Sequence, residues 1–329
     1  MLSSFTECKE CLEDRQLAVL PTETVYGLAA NGIERYAVEK IFKTKGRPAG
    51  NPLILHIFDI TEAEKLAEVN DMARFLARRF WPGPLTIILP KKKIVPSEVS
   101  ASLNTVGLRS PSNYLFRKML DELGFPLAAP SANPTNRTSP TTALQVMKMF
   151  GQKCPPVLDG GQTSLGIEST VLDLTTANPT ILRPGHISLQ EIENCLSCKI
   201  ELRKDFADLT DFPHKSPGNS PRHYAPKTLT RLHASIEKCI KCDLVEPDDL
   251  VLVASKKEAD FFKDADCTAW YLSQTGNPSE VAHALFRKLH EADEQAFSKI
   301  HLCLLTQKDD LALAINDRIT RACGQLHKQ

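Results

Sequence analysis

The chain has 329 residues, 42% of them hydrophobic and 24% charged, with 40 Lys+Arg balanced by 40 Asp+Glu. At roughly 100–200 residues per domain, this length suggests two domains with ample core-forming material, and the composition excludes wholesale disorder. Zero net charge argues against a coat made for nucleic acid but leaves room for a local basic pocket.

Residues 3–14 read as a helix and LAVL at 17–20 as a buried strand before Pro21. Helical spacing of Ala37, Val38, Ile41 and Phe42 predicts a helix over 34–44, followed by a strand at 52–57. One helix is predicted over 61–79, ended by Pro82-Gly83-Pro84. Strands follow at 85–89, 105–109 and 125–130, with helices at 112–123 and 141–150, then strands at 156–158, 170–174 and 180–183. The stretch 211–226 contains four Pro and one Gly without periodicity, so it reads as a linker or ordered loop. Beyond it, strands at 229–233, 250–254, 268–272 and 299–305 alternate with helices at 256–263, 278–294 and 309–323, which predicts a small parallel, Rossmann-like sheet. The expected organisation is a first domain over 1–205, a linker over 206–228 and a second domain over 229–329. This last part holds 13 Lys+Arg and 16 Asp+Glu, about −3, leaving about +3 on the rest.

No apolar run reaches the roughly 18 residues of a bilayer span, and the acidic first 16 residues lack a signal core, so a cytoplasmic protein is expected. Ten Cys suit free thiols. Three pairs have CxxC spacing, Cys8/Cys11, Cys195/Cys198 and Cys239/Cys242. The gap of about 40 residues between Cys198 and Cys239 exceeds the roughly 15–20 of a compact zinc ribbon, so no structural zinc is expected.

Polar clusters carry the chemical signal. In Thr44–Asn51 (TKGRPAGN), Lys45 and Arg47 would share one side of an extended segment, which suits phosphate oxygens; a solvated pair at a helix C-terminus is the competing reading. Ala129–Pro134 (APSANP) restrains Ser131 and Asn133 between prolines, as a ligand-positioning loop or an ordinary turn. Asp159–Thr170 (DGGQTSLGIEST) offers glycine amides to an anion or makes a tight turn. Arg109 and Arg183 end apolar strands, where a charge needs a partner or ligand. His56 reads by itself as a satisfied core histidine. No nucleophile–base–orienter set, HExxH motif or paired-carboxylate signature is present, so the inventory points to binding, positioning and charge stabilisation.

Together the motifs resemble the YrdC-like domain of threonylcarbamoyl-AMP synthases. The resemblance rests on Pro21-Thr22-Glu23-Thr24-Val25-Tyr26-Gly27-Leu28, Lys45-Gly46-Arg47-Pro48, Asn51-Pro52-Leu53, the PSAN at 130–133, Glu168-Ser169-Thr170-Val171 and Leu182-Arg183-Pro184-Gly185. Ser216-Pro217-Gly218 and His223-Tyr224-Ala225-Pro226 resemble the linker of the two-domain form. The resemblance implies an α/β fold: a YrdC-like twisted mixed sheet with flanking helices around a cavity, plus a smaller Rossmann-like C-terminal domain. It implies formation of threonylcarbamoyl-AMP and pyrophosphate from L-threonine, bicarbonate or CO2, and ATP, with Mg2+ carried by the nucleotide. The product would pass to downstream tRNA threonylcarbamoyl-transfer proteins, without strong direct nucleic-acid binding and without a membrane.

By the same resemblance, Thr24, His56, Arg109, Ala129 and Ser169 surround threonine. Arg47, Asn51, Thr105, Ser131, Ser139, Arg183 and Tyr224 bind ATP. Lys45 and Asn133, with Arg47 and Ser131, contact phosphate or bicarbonate in the catalytic step. Asn219-Ser220-Pro221 departs from the more apolar, basic stretch of many relatives, which bears on lid closure. Two other readings compete: a double-stranded RNA-binding or ribosome-associated module, and a hydrogenase-maturation carbamoyltransferase. The latter's expected acylphosphatase segment and zinc fingers do not appear in the sequence.

Overall fold

The computed structural model describes residues 2–203, 223–241, 244–295 and 297–324. The first part is built on a mixed sheet with spatial order Leu2–Ser3, Val157–Leu158, Ala18–Leu20, Gly27–Asn31, Leu127–Ala128, Ile54–His56, Thr105–Arg109, Leu85–Pro90, Thr170–Asp173, Thr180–Arg183 and Glu201–Leu202. Its central strands are buried on both faces because side chains alternate across a strand. Val19, Leu28 and Ala30 enter the larger cluster with Ile41, Leu55 and Leu108, while Ala18, Leu20 and Ala29 join Leu12, Phe116 and Met119 on the opposite face. Each such buried Val, Leu or Phe contributes on the order of 1.5–3 kcal/mol.

Helix boundaries follow their caps. Asp59 and Asn113 accept from the first-turn amides of Ile60–Leu66 and Tyr114–Leu123, and Thr142 forms a capping box on Ala143–Phe150. The single helix expected over 61–79 is two, Ile60–Leu66 and Asp71–Phe80. Ala67 leaves the helix to bridge Lys91, and the Asn70 side chain accepts from the Ala73 amide and starts a new helix. The segment expected as a strand over 125–130 is extended in a sheet only at Leu127–Ala128.

The second part is a four-stranded, all-parallel sheet in the order Leu229–His233, Lys299–Cys303, Leu250–Ser255 and Thr268–Ser273. Leu250, Leu252, Ile300 and Leu302 face the helices Pro278–Glu294 and Asp310–Cys323, and Val251, Val253 and Cys303 face Ile236–Ile240 and Phe262. The helix expected over 256–263 is shorter, Lys256–Ala259, and continues as a 3-10 turn at Asp260–Phe262. The helix Ile236–Ile240 was not expected from the sequence.

The two parts share a seam. Val25, Ile167 and Tyr224 belong to the apolar cluster of the second part. Gly166, at φ 85°, lets the chain approach Pro278–Glu294 so closely that a Cβ would meet the Ala282 carbonyl oxygen at 2.5 Å. Most of the expected lid over 206–228, including Ser216-Pro217-Gly218 and Asn219-Ser220-Pro221, lies outside the described residues; His223–Pro226 lie inside the seam. Among the described residues, no helix is long and apolar enough to cross a membrane.

Candidate active site

A cavity of about 50 Å3 opens at the seam, lined by Thr24, Arg47, His56, Arg109, Ala129, Ser131, Glu168, Ser169, Arg183, His223 and Tyr224, with Val25, Ile54 and Pro130 between them. Strand ends deliver most of these groups: His56 and Arg109 close neighbouring strands in register, and Arg183 closes Thr180–Arg183. Ending a buried strand on a polar residue is how a sheet aims such groups into one cavity.

Burial dominates the electrostatics. Arg47 donates from Nε to the Asn51 carbonyl at 3.1 Å and from Nη2 to the Pro52 carbonyl at 2.9 Å. Desolvation pulls its guanidinium down to about 9 and lowers Arg183 as well. Arg183 donates to the Ser169 hydroxyl at 3.0 Å, and Ser169 in turn lies 2.8 Å from the Thr86 hydroxyl. His56 is pulled down to about 3 by burial and then by Arg109, so it is neutral, and its Nδ1 has no partner. His223 is held well below the usual range by burial and then by Arg47.

Arg109 has a partner that the sequence did not name: its Nη2 is 2.7 Å from Glu23 Oε1. A second carboxylate, Glu168, accepts from the Ser139 hydroxyl at 2.6 Å and from Arg318 Nε at 3.1 Å. Arg318 is fully buried on Asp310–Cys323, so the second part of the chain reaches the cavity wall directly. The Tyr224 ring stacks on Phe286 at 5.4 Å between centroids and faces the Arg318 guanidinium at 5.6 Å. Its hydroxyl is buried without a partner.

The structure corrects several expectations. Lys45 and Arg47 do not share an extended segment. Lys45 is the last residue of the helix Arg35–Lys45, ended by Gly46 at φ 61°. The Lys45 ammonium, expected on phosphate, donates to the Ser131 and Asn133 carbonyls, both at 2.5 Å, and so clamps the PSAN loop. Asn133 donates to the Pro134 and Arg137 carbonyls and stands behind the cavity wall. Thr105 faces a separate crevice beside Pro52, Ser139 is turned to Glu168, and Asn51 is buried beside Arg47 with its side-chain oxygen unpartnered. A larger cleft of about 220 Å3, lined by Arg137, Lys148, Lys227, His290 and Asp293, lies beyond Ala225 and lacks the converging guanidiniums.

Known proteins share this arrangement of domains. The Sua5/YciO/YrdC family model, described as telomere recombination, matches residues 10–185, and a model described as the C-terminal domain of threonylcarbamoyl-AMP synthase matches residues 187–324. The chain is 38% identical to the threonylcarbamoyl-AMP synthase of Pyrococcus abyssi, covering 95% of this chain and 92% of that protein. It is 36% identical to the synthase of Bacillus subtilis, covering 95% and 91%.

The chain belongs to the threonylcarbamoyl-AMP synthase family.

The crystal structure of P. abyssi Sua5 complexed with L-threonine superposes with a TM-score of 0.82 at 34% identity, covering 97% of this chain and 94% of that one. The synthase-type second domain decides against the carbamoyltransferase reading. Of the residues that the sequence motifs nominated, the fold brings Thr24, Arg47, His56, Arg109, Ala129, Ser131, Ser169, Arg183 and Tyr224 to one cavity. Glu23 and Glu168 were missed as functional groups although both lie inside quoted motifs. Arg318 was missed outright, because a pairing across 150 positions has no local signature.

Proposed function

We propose that the cavity is where L-threonine, bicarbonate-derived CO2 and ATP become threonylcarbamoyl-AMP and pyrophosphate. The observation that carries this reading is the convergence of three buried guanidiniums, Arg47, Arg109 and Arg183, on a cavity also lined by hydroxyls and a neutral His56. Guanidiniums gathered at one desolvated place suit an anionic ligand, and a polyphosphate with a carboxylate is such an anion set. Burial also separates this arrangement from a surface made for RNA phosphates.

Threonine sits by Thr24, His56, Arg109, Ala129 and Ser169, with its carboxylate on Arg109. The neutral His56 accepts a hydrogen bond from the threonine amine or hydroxyl. The amine attacks CO2 and loses a proton to give the carbamate; a carbamate oxygen then attacks the α-phosphorus, and pyrophosphate leaves. Arg47, Ser131 and Arg183 hold the phosphates and stabilise the charge that develops there. Lys45 and Asn133 act by fixing the PSAN loop. Asn51, Ser139 and Tyr224 complete the nucleotide side, and Thr105 belongs to the adjoining crevice.

Mg2+ fits as a passenger of the nucleotide. The lining carboxylate Glu168 already faces Arg318, and Glu23, behind Arg109, faces that arginine. The ion would keep phosphate and water oxygens, and it would neutralise phosphate charge. The cavity of about 50 Å3 has room for a few waters and not for ATP, so this reading includes an outward movement of its wall, with His223 and Tyr224 closing over the product. Closure protects a carbamate and a mixed anhydride from water. The reading places the chain in the cytoplasm, as a nucleotidyl-transferring enzyme that hands its product to tRNA threonylcarbamoyl-transfer proteins.

Thermal shift distinguishes this reading from its relatives. Threonine with ATP should raise the melting temperature more than either alone, by about 2.7 kcal/mol of stabilisation at 100 times Kd, and carbamoyl phosphate should not. Stabilisation by carbamoyl phosphate alone would contradict it.

A further inference from the structure

The second domain contains a cluster of ligating groups that the synthase reaction does not use. The His233, Cys239 and His301 ligand atoms all lie within 4.8 Å of one another, and all three side chains are buried. The sheet puts them there. His233 and His301 sit on adjacent parallel strands whose register pairs His233 with Cys303 and Arg231 with His301, so both histidines and Cys303 point to one face. The helix Ile236–Ile240 covers that face and delivers Cys239.

The histidines are oriented as ligands. Asp249 Oδ2, on a fully buried carboxylate, lies 3.1 Å from His301 Nε2. The carboxylate accepts a hydrogen bond from Nε2–H, which leaves the Nδ1 lone pair facing His233 Nε2 at 2.8 Å. A carboxylate behind one nitrogen of a histidine, with the other nitrogen turned to a thiol and a second imidazole, is the arrangement that fixes a metal-binding tautomer. On a tetrahedral zinc the two nitrogens would stand roughly 3.3 Å apart and each nitrogen roughly 3.6 Å from the sulfur, so an ion needs a few tenths of an ångström of opening at the histidine pair and an approach of Cys239 from within 4.8 Å.

We propose that His233, Cys239 and His301 bind a zinc ion that ties the helix Ile236–Ile240 to the strands Leu229–His233 and Lys299–Cys303. Two imidazoles and a thiolate select a borderline-soft cation over Mg2+ or Ca2+. Cys303, in register with His233 and packed in the same cluster as Cys239, is a further sulfur on that face. On binding, the Cys239 thiol proton passes to solvent, and the proton between the two imidazoles moves to His233 Nδ1, which frees Nε2 for the metal. A cavity of about 250 Å3 lined by Cys239, Ile240, Phe261 and Cys267 gives access from the surface, where Ile240 and Phe261 are exposed. The site escapes a search for paired CxxC motifs because its two histidines stand 68 positions apart and only one cysteine of a CxxC pair takes part.

The test uses the full chain, stripped with chelator and titrated with zinc and then cobalt. One zinc per chain should survive gel filtration. Cobalt should give a thiolate charge-transfer band with the visible bands of a tetrahedral ion. Cys239→Ser and His301→Ala should each weaken zinc at least tenfold, with Cys239→Ser also diminishing the charge-transfer band of any cobalt still bound, and Asp249→Asn should weaken zinc by roughly 10–100-fold with the ligands intact. A Cys195→Ser/Cys198→Ser control should bind as the parent does. Should a ligand variant fail to fold, the parent's cobalt spectrum decides. Less than one-tenth zinc per chain, an octahedral cobalt spectrum, or full binding by Cys239→Ser would overturn the site.

Discussion

Arg109 Nη2 stands 2.7 Å from Glu23 Oε1, with both side chains buried, yet neither atom has a hydrogen-bond partner. The charges are close but poorly aligned, which leaves the guanidinium able to turn to an incoming carboxylate. Arg109→Ala should raise the threonine KM roughly 100-fold or more while changing the ATP KM little. It should also lower stability by about 3–5 kcal/mol, because Glu23 is left buried and unpaired. Steady-state kinetics in both substrates, with urea unfolding of the same variant, check the two effects separately. Equal losses for threonine and ATP would contradict the placement of Arg109.

Glu168 links the cavity to the second domain through Arg318. Arg318→Ala should therefore impair turnover and stability together, the latter by about 3–5 kcal/mol, although the residue lies on a distant helix. Arg318→Lys should recover only part of both, since an ammonium cannot reproduce the fork that also reaches Asp317. Full activity in Arg318→Ala, assayed below its melting temperature, would detach the second domain from catalysis.

Tyr224 separates ring from hydroxyl. The ring packs on Phe286, and the hydroxyl is buried without a partner. Tyr224→Phe should fold as stably as the parent and raise the ATP KM only if the hydroxyl meets the nucleotide. Tyr224→Ala should lose about 3–5 kcal/mol from the seam. Differential scanning calorimetry and ATP titration of the pair distinguish packing from binding.

Acid should destabilise the chain. His56, at about 3, and the lowered His223 and His290 stay neutral in the folded state where unfolded histidines, near 6.5, take up protons. The unfolded state then binds more protons, so stability falls as pH drops below about 6.5, and for His56 the loss continues down to about 3. Each such histidine contributes roughly 1.4 kcal/mol per pH unit in that window. Urea midpoints at pH 7.5, 6 and 5 should decline steadily, and His56→Asn should flatten the slope; a midpoint independent of pH would contradict the buried neutral histidines.

Local pattern revealed much of this molecule and stopped where pairing is long-range. The apolar run LAVL, buried on both faces of Ala18–Leu20, and the strand-ending Arg109 and Arg183 were legible because each needs only neighbouring residues. The break between Ile60–Leu66 and Asp71–Phe80 was hidden because helical periodicity continues across it, and the Asn70 cap decides the matter. The spacing of Lys45 and Arg47 suited an extended segment as well as a helix end, and Gly46, which ends the helix Arg35–Lys45, decides for the helix end. Glu23 on Arg109, Arg318 on Glu168 and Asp249 on His301 join residues 86, 150 and 52 positions apart, and no local periodicity encodes such partners.

The account rests most directly on product formation. Full-length protein should be incubated with ATP, Mg2+, L-threonine and labelled bicarbonate, then assayed for pyrophosphate and for labelled threonylcarbamoyl-AMP by mass spectrometry. The account predicts the two in equal amounts, both lost when threonine or bicarbonate is omitted and both sharply reduced in Arg109→Ala. Pyrophosphate release that ignores threonine, or folded protein that makes no labelled adenylate, would contradict it.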